Sequence, residues 1–308
     1  MEFKPVLDSD LPEPYEPKWS ELEKATSDEP FAQAFGSLLF EGGKLLEIIA
    51  NLKPSDITDR NQAVLMGHLV RMTKLIRVIL RDLANRDVEQ QLSISREFLE
   101  TAANLKWLLE DDGTGARYDV YIEDGLNAER IMLEKVSSHI KSQGGRVMPV
   151  EARMQLGIEP IIKAAGIKDI SSIRSRKAIR NSSGLPSIEK RVEGLGELAY
   201  FTYRTASTET HGTWADIVQY HINFDGKEYS PNFNKPPVSA HVASGMVYVL
   251  WLVIPSYLNL KVNKDMVDKF IPRLQAIDTK RAKLIELREE AITRDDKRKS
   301  KDQEAPTV

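Results

Sequence analysis

From Phe31 onward, apolar residues recur every three or four positions, the spacing of one helical face. "FAQAFGSLLFEGGKLLEIIANL" predicts a helix that stops before Pro54. "SDITDRNQAVLMGHLVRMTKLIRVILRDLANR" opens on cap-type residues. Its stripe of Leu65, Leu69, Met72, Ile76 and Ile79 predicts a long amphipathic helix. A third helix is predicted over 88–110 and, after the break "DDGTG", a fourth over 116–140. Further on, one helix is predicted to begin near Ser187 and to carry residues 200–214, followed by a buried helix over 242–258 and a charged one over 264–294. Strand signals are almost absent, apart from a turn-rich loop that admits a short hairpin at Asp225-Gly226. The pattern predicts an all-α, multi-helix bundle of long antiparallel helices, with an extended N-terminal arm and a charged C-terminal helix.

Three segments depart from the helical pattern. Residues 1–30 carry Pro5, Pro12, Pro14, Pro17 and Pro30, which predicts an extended arm. Residues 143–186 hold short helical pieces divided by Gly144-Gly145, Pro149, Gly166 and Gly184. That stretch reads as a basic, loop-rich insertion in a helical domain spanning 31–261. Its Arg174, Arg176, Lys177 and Arg180 are either a solvated charged face or a contact for RNA phosphates. Residues 262–308 read as the charged helix with a frayed, disordered tail, "DDKRKSKDQEAPTV".

Composition narrows the chemistry. The chain has 308 residues, a net charge of -3 and no cysteine. Disulfides, thiolate zinc sites and a cysteine nucleophile are excluded, and a reducing, cytoplasmic setting is expected. Near-neutral charge argues against a protein built mainly to bind nucleic acid. The apolar run "VASGMVYVLWLVIPSYL" is interrupted by Ser244, Gly245, Pro255 and Ser256, so a core helix is expected rather than a membrane span. No signal-peptide pattern is legible at the N-terminus. Phosphate-loop, dinucleotide, nucleophile-elbow and HExxH patterns are missing, so neither a cofactor nor a metal is expected.

Candidate chemistry concentrates in "YRTASTETHGTW", residues 203–214. On one helix, Arg204 and His211 lie about 20° apart around the axis and about 10 Å apart along it. Ser207 sits between them, with Tyr203 and Tyr200 close by. A guanidinium can hold a phosphodiester through paired donors, and an imidazole can move a proton at neutral pH. A second reading of the same residues is a polar network that sets helix register. "SREFLE" places Arg96 and Glu100 on one helical face, from which Glu100 could pair with Arg204 or His211, and Arg96 with Glu209 or a tyrosine hydroxyl.

"SREFLETAANLKWLLEDDGTGARYDVYI" and "PSIEKRVEGLGELAYFTYRTASTETHGTW" resemble a bacterial family known as domain of unknown function 5677. The matching positions are Arg96 and Glu100, then Tyr200, Tyr203, Ser207 and His211. The resemblance implies an all-α fold over about residues 60–260 and carries no established activity. Arg204 and His211 also resemble, more loosely, the arginine–histidine spacing of HEPN domains, which are all-α, usually dimeric and in many cases metal-independent ribonucleases of defence and toxin–antitoxin systems. That likeness implies Arg204 and His211 as catalytic, with Ser207, Tyr203, Glu100 and Arg96 orienting them. It implies RNA, an antitoxin protein or a second copy as partners. The alternatives are a non-enzymatic helical interaction module, its arm and charged helix binding a partner, or a sensor for a nucleotide or small anion.

Overall fold

The computed structural model describes residues 6–52, 59–86, 90–210, 213–234 and 240–304, without the side chains of 183, 209, 219 and 295–304. It is all-α apart from one small hairpin. In chain order the helices are α1 (Trp19–Leu22), α2 (Glu29–Ala50), α3 (Arg60–Ala84), α4 (Gln91–Leu109), α5 (Ala116–Ser142), α6 (Pro149–Ala164), α7 (Arg176–Ser183), α8 (Ile188–Glu193), α9 (Glu197–Thr210), α10 (Trp214–Asp216), α11 (His241–Lys261) and α12 (Lys264–Glu304). A turn of π-helix, Ile217–His221, leads into the hairpin of β1 (Ile222–Phe224) and β2 (Tyr229–Pro231). The strands pair antiparallel with Phe224 opposite Tyr229, and Gly226 takes the positive φ of 99° that the turn requires.

The chain divides into two compact units. The larger comprises residues 1–56, 66–109 and 188–308. Its axis is α11, which packs on α2, α4 and α12. Phe31, Phe35, Leu38 and Leu39 of α2, Phe98 and Leu105 of α4 and Phe270 of α12 are all fully buried. Gly43 marks a close approach: a Cβ there would stand 2.9 Å from Ile76 of α3. α11 is long and apolar enough to cross a membrane, yet 61% of its most apolar window is buried within the protein, as a core helix would be. Pro255 does not interrupt it.

The buried stripe of α12 runs through Met266, Phe270, Leu274, Ile277, Leu284 and Ala291, at helical spacing. Two buried arginines interrupt that stripe, each with its charge answered. Arg281 donates to Asp278 at 2.6 Å and stands over the ring of Tyr248. Arg288 grips Asp28 with Nε at 2.5 Å and Nη2 at 2.9 Å. The helix, expected to fray after Arg294, continues to Glu304.

The outer side of α12 holds the N-terminal arm. Lys269 donates to the Val6 carbonyl, Arg273 to Pro12, Lys280 to Tyr15 and Arg294 to Glu23. The arm and the charged helix, expected to serve a partner protein, are bound to each other. The prolines keep the arm extended and its carbonyls free to accept, because proline supplies no N–H for a competing helix. The arm includes a 3-10 turn at Asp8–Asp10 and the short helix α1, so it is more structured than the proline count predicts.

The smaller unit comprises residues 57–65 and 110–187. Leu126, Ala165 and Ile173 form its core. Its carboxylates do much of the bonding. Asp111 is partly desolvated, which works against ionisation, but the backbone N–H groups of Arg117, Gly115 and Gly113 outweigh this and hold it below the usual carboxylate range. Glu123 is held below that range by hydrogen bonds from Arg174, and Asp169 by those from Ser171. A carboxylate whose folded pKa is depressed contributes stability above its unfolded value, and that contribution disappears as pH falls through the folded value. Melting of this unit, followed by circular dichroism, is therefore expected to hold from pH 7 to about 5 and to decline below about 4. Glu123→Gln is expected to start lower at neutral pH and to lose less in acid.

Candidate functional site

α9 meets α4 along one side and α8 along another. The predicted single helix from Ser187 is in fact two, α8 and α9. Gly194 and Gly196 break it, and Gly196 takes φ = 110°, outside any helix. Lys106, from the end of α4, donates to the Gly194 carbonyl at 2.6 Å and fastens that break in place. α9 then presents Ala199, Tyr203 and Ala206 to the core and turns Phe201, Arg204 and Thr205 to solvent.

This rotation splits the expected cluster into two halves. In the inner half, Arg96 Nε donates to Glu100 Oε1 at 3.0 Å within α4. Its guanidinium lies 5.3 Å from the ring centroid of Tyr203, which is only 6% exposed. A cation over a shielded ring is attracted by the ring quadrupole, so this stack joins α4 to α9. Ser207 donates to the Tyr203 carbonyl at 2.7 Å, a bond back along its own helix. The inner half is thus mutually satisfied, and Ser207 is turned to its own backbone.

The outer half is centred on Glu189 of α8. Its Oε1 accepts from Arg204 Nη1 and from the Tyr200 hydroxyl, both at 3.0 Å. The hydrogen bond to Glu189, with burial adding to it, holds the Tyr200 phenol above its ordinary pKa, so Tyr200 stays a donor at neutral pH. Arg204 is 62% exposed in its side chain. The expected Glu100–Arg204 pairing is therefore corrected. Glu100 binds Arg96 rather than Arg204, and Arg204 binds Glu189. The reason is the angular offset between Tyr203, which faces in, and Arg204, which faces out. His211, the proposed acid–base, lies outside the described residues, as does the Glu209 side chain.

The two halves should respond differently to truncation. Arg204→Ala removes one exposed ion pair, so the change in thermal stability is expected to be well under 1 kcal/mol. Arg96→Ala strips a mostly buried cation from Glu100 and Tyr203, with an expected loss of about 1–3 kcal/mol in urea unfolding.

Two of the four cations of the basic segment are engaged by carboxylates of α5. Arg174 holds Glu123 through Nε and Nη2 and also donates to Ser182, while Arg176 holds Asp124. Lys177 and Arg180 lie on α7 and are exposed. Among the described residues, no three His, Asp or Glu side chains gather as metal ligands.

Pair rules within one helix could not find Glu189, because the link to Arg204 crosses the Gly194–Gly196 break. The "GLG" punctuation was the available signal for that bend. A second missed feature is aromatic. Phe224 and Tyr229 stack on the hairpin with centroids 4.6 Å apart, and Trp214 meets Tyr229 edge-on at 6.3 Å. All three rings are more than half exposed.

No curated protein and no solved structure matches the chain. A family model, described as a family of unknown function (DUF5677), matches residues 62–229, more than half of the sequence, and includes α4, α8, α9, α10 and the β1 strand. With its paired Arg96 and Glu100 and the tyrosines and serine of α9 in place, the chain belongs to this family of unknown function.

Proposed function

We propose that the protein is a non-enzymatic helical interaction module whose docking face is the outer side of α9 together with the hairpin, and that a second copy of this chain is the partner the face fits. The observation that carries this reading is the concentration of exposed apolar side chains there. Leu198, Phe201, Trp214, Phe224, Tyr229 and Phe233 are each more than half exposed, Phe233 to 92%. Apolar surface gathered in this way is usual at protein contacts. The hairpin supports the choice of a second copy. Its strands have three residues each and none of the six is buried. Such a hairpin is marginal alone, and pairing with its own edge around a two-fold axis would extend it to four strands. The inner polar half then serves to fix α9 on α4, so that the face is presented rigidly.

The test is sedimentation velocity over a range of protein concentrations. Wild type is expected to associate, and Phe201→Asp or Trp214→Asp to remain monomeric with an unchanged melting temperature. Monomeric wild type at all concentrations would remove this reading.

A metal-independent, HEPN-like ribonuclease or RNA-binding effector of a defence or toxin system is the second reading. The solvent-facing position of Arg204, seven residues before His211, favours it. An exposed Arg204–Glu189 pair is weak enough to exchange for a phosphate. Arg204 would bind phosphate and His211 would act as acid and base. Total RNA incubated in EDTA should then be cleaved to cyclic-phosphate ends by wild type and left intact by His211→Ala and Arg204→Ala.

A further inference from the structure

Between the arm and α2 lie two cavities that the module described above does not use. One, of about 690 Å³, lies over Ala32, Gly36, Phe40 and Leu83. The other, of about 640 Å³, lies over Phe40, Ile48 and Leu52. Each has the volume of a small-molecule site. Glu13 of the arm and Phe40 of α2 line both, so they mark where the two cavities meet.

The residues at that junction are held for contact. Glu13 stands between Pro12 and Pro14, and the body of the protein anchors the chain on either side of it. Arg273 holds the Pro12 carbonyl at 2.5 Å, the Tyr15 N–H donates to Glu41 at 2.9 Å, and Lys280 holds the Tyr15 carbonyl at 2.6 Å. Phe40 is 53% exposed, unusual for a phenylalanine on a helix whose other aromatic rings, Phe31 and Phe35, are fully buried. Lys44, which also bonds Glu47 at 3.3 Å, lies 5.8 Å from the centroid of the Phe40 ring, so the ring already attracts a cation and a ligand's charge would take the place of the Lys44 ammonium there.

Gly36 gives an independent sign that the space is kept open. A glycine inside a helix costs about 1 kcal/mol relative to alanine. Gly42 and Gly43 of the same helix have a steric reason, since a Cβ at either would come within 3.0 Å of a neighbour. A Cβ at Gly36 would meet only Leu83, at an ordinary contact distance of 3.5 Å. What the missing side chain leaves is room on the floor of the larger cavity.

The charges choose the ligand. Asp10, Glu13, Glu16, Glu29, Glu41 and Glu47 line the trough, against the cations Lys44 and Arg86. Four of those carboxylates are engaged by cations: Glu16 by Lys280, Glu29 by Arg86, Glu41 by Arg273 and Glu47 by Arg77. Glu13 has no ion pair among the described residues. We infer that this trough is a binding site for a linear organic cation, an aliphatic amine or quaternary ammonium whose chain lies on the apolar floor and whose charge rests between Glu13 and the ring of Phe40. An anion of the same length would face uncompensated carboxylate, so the site discriminates by sign.

Calorimetric titration of the full chain with hexyltrimethylammonium and with hexanoate tests this. The cation is expected to bind saturably and hexanoate not to bind. Glu13→Gln, which removes the charge, and Gly36→Leu, which fills the floor, should each weaken the cation by about tenfold or more. Glu13 is solvent-facing, so Glu13→Gln keeps the test decisive even if Gly36→Leu fails to fold. No saturable binding of the cation, equal binding of hexanoate, or unchanged affinity in Glu13→Gln would overturn the inference.

Discussion

Arg288→Ala is expected to lower the stability of the larger unit by about 3 kcal/mol, read as the midpoint of urea unfolding. Arg288 is 7% exposed, and its two bonds to Asp28 tie the second half of α12 to the start of α2. The same carboxylate accepts from the Ala240 N–H at the start of α11. Truncation leaves Asp28 without its cation in a partly desolvated place, and most of the loss is that penalty rather than the worth of the pair. Asp28 keeps 28% exposure in its side chain, so water relieves some of the cost and the lower end of the usual range applies. The double replacement Asp28→Asn with Arg288→Met should therefore recover much of the loss. Equal destabilisation by the single and double replacements would show that packing, not charge, is what Arg288 supplies.

Phe98→Ala is expected to cost about 3–5 kcal/mol. Phe98 has no exposed surface and lies on α4, which packs on α11. Removing the ring loses its transfer energy and leaves a cavity whose walls, α4 and a continuous α11, cannot close over it. Phe98→Leu keeps most of the volume and should cost under about 1.5 kcal/mol. Because Arg96 lies on the same helix, Phe98→Ala should also loosen the Arg96–Tyr203 stack. The Tyr203 ring should then become more accessible to solvent quenching in the variant than in wild type. A loss under about 1 kcal/mol would mean that α4 is not part of the central core.

The bundle was largely legible because burial on one helical face leaves a period that survives in the sequence. Leu65, Leu69, Met72, Ile76 and Ile79 were predicted as one stripe and are all buried. The hairpin at Asp225-Gly226 was legible for a different reason, since its turn needs a residue with positive φ. What could not be read was the partner of each charge. Arg96 and Glu100 obey the spacing of one helix, which permits their pairing, yet the sequence left Glu100 equally free to pair across helices with Arg204 or His211. Arg204 and Glu189 are joined across a break whose angle is set by Gly196 and by Lys106 from another helix. The arm failed in the same way. Its prolines announce an extended segment, but only the fold brings Lys269, Arg273 and Lys280 to its carbonyls. Positions of charges depend on tertiary placement, whereas apolar periodicity is local.

The division of the polar cluster into a structural inner half and an outward working face is tested most directly by one paired comparison. Wild type, Arg96→Ala and Phe201→Asp are measured side by side for thermal stability and for self-association by sedimentation velocity. Arg96→Ala should melt several degrees lower and, at a temperature where it is folded, associate as wild type does. Phe201→Asp should melt as wild type does and stay monomeric. Association retained by Phe201→Asp, or unchanged melting in Arg96→Ala, would contradict that division.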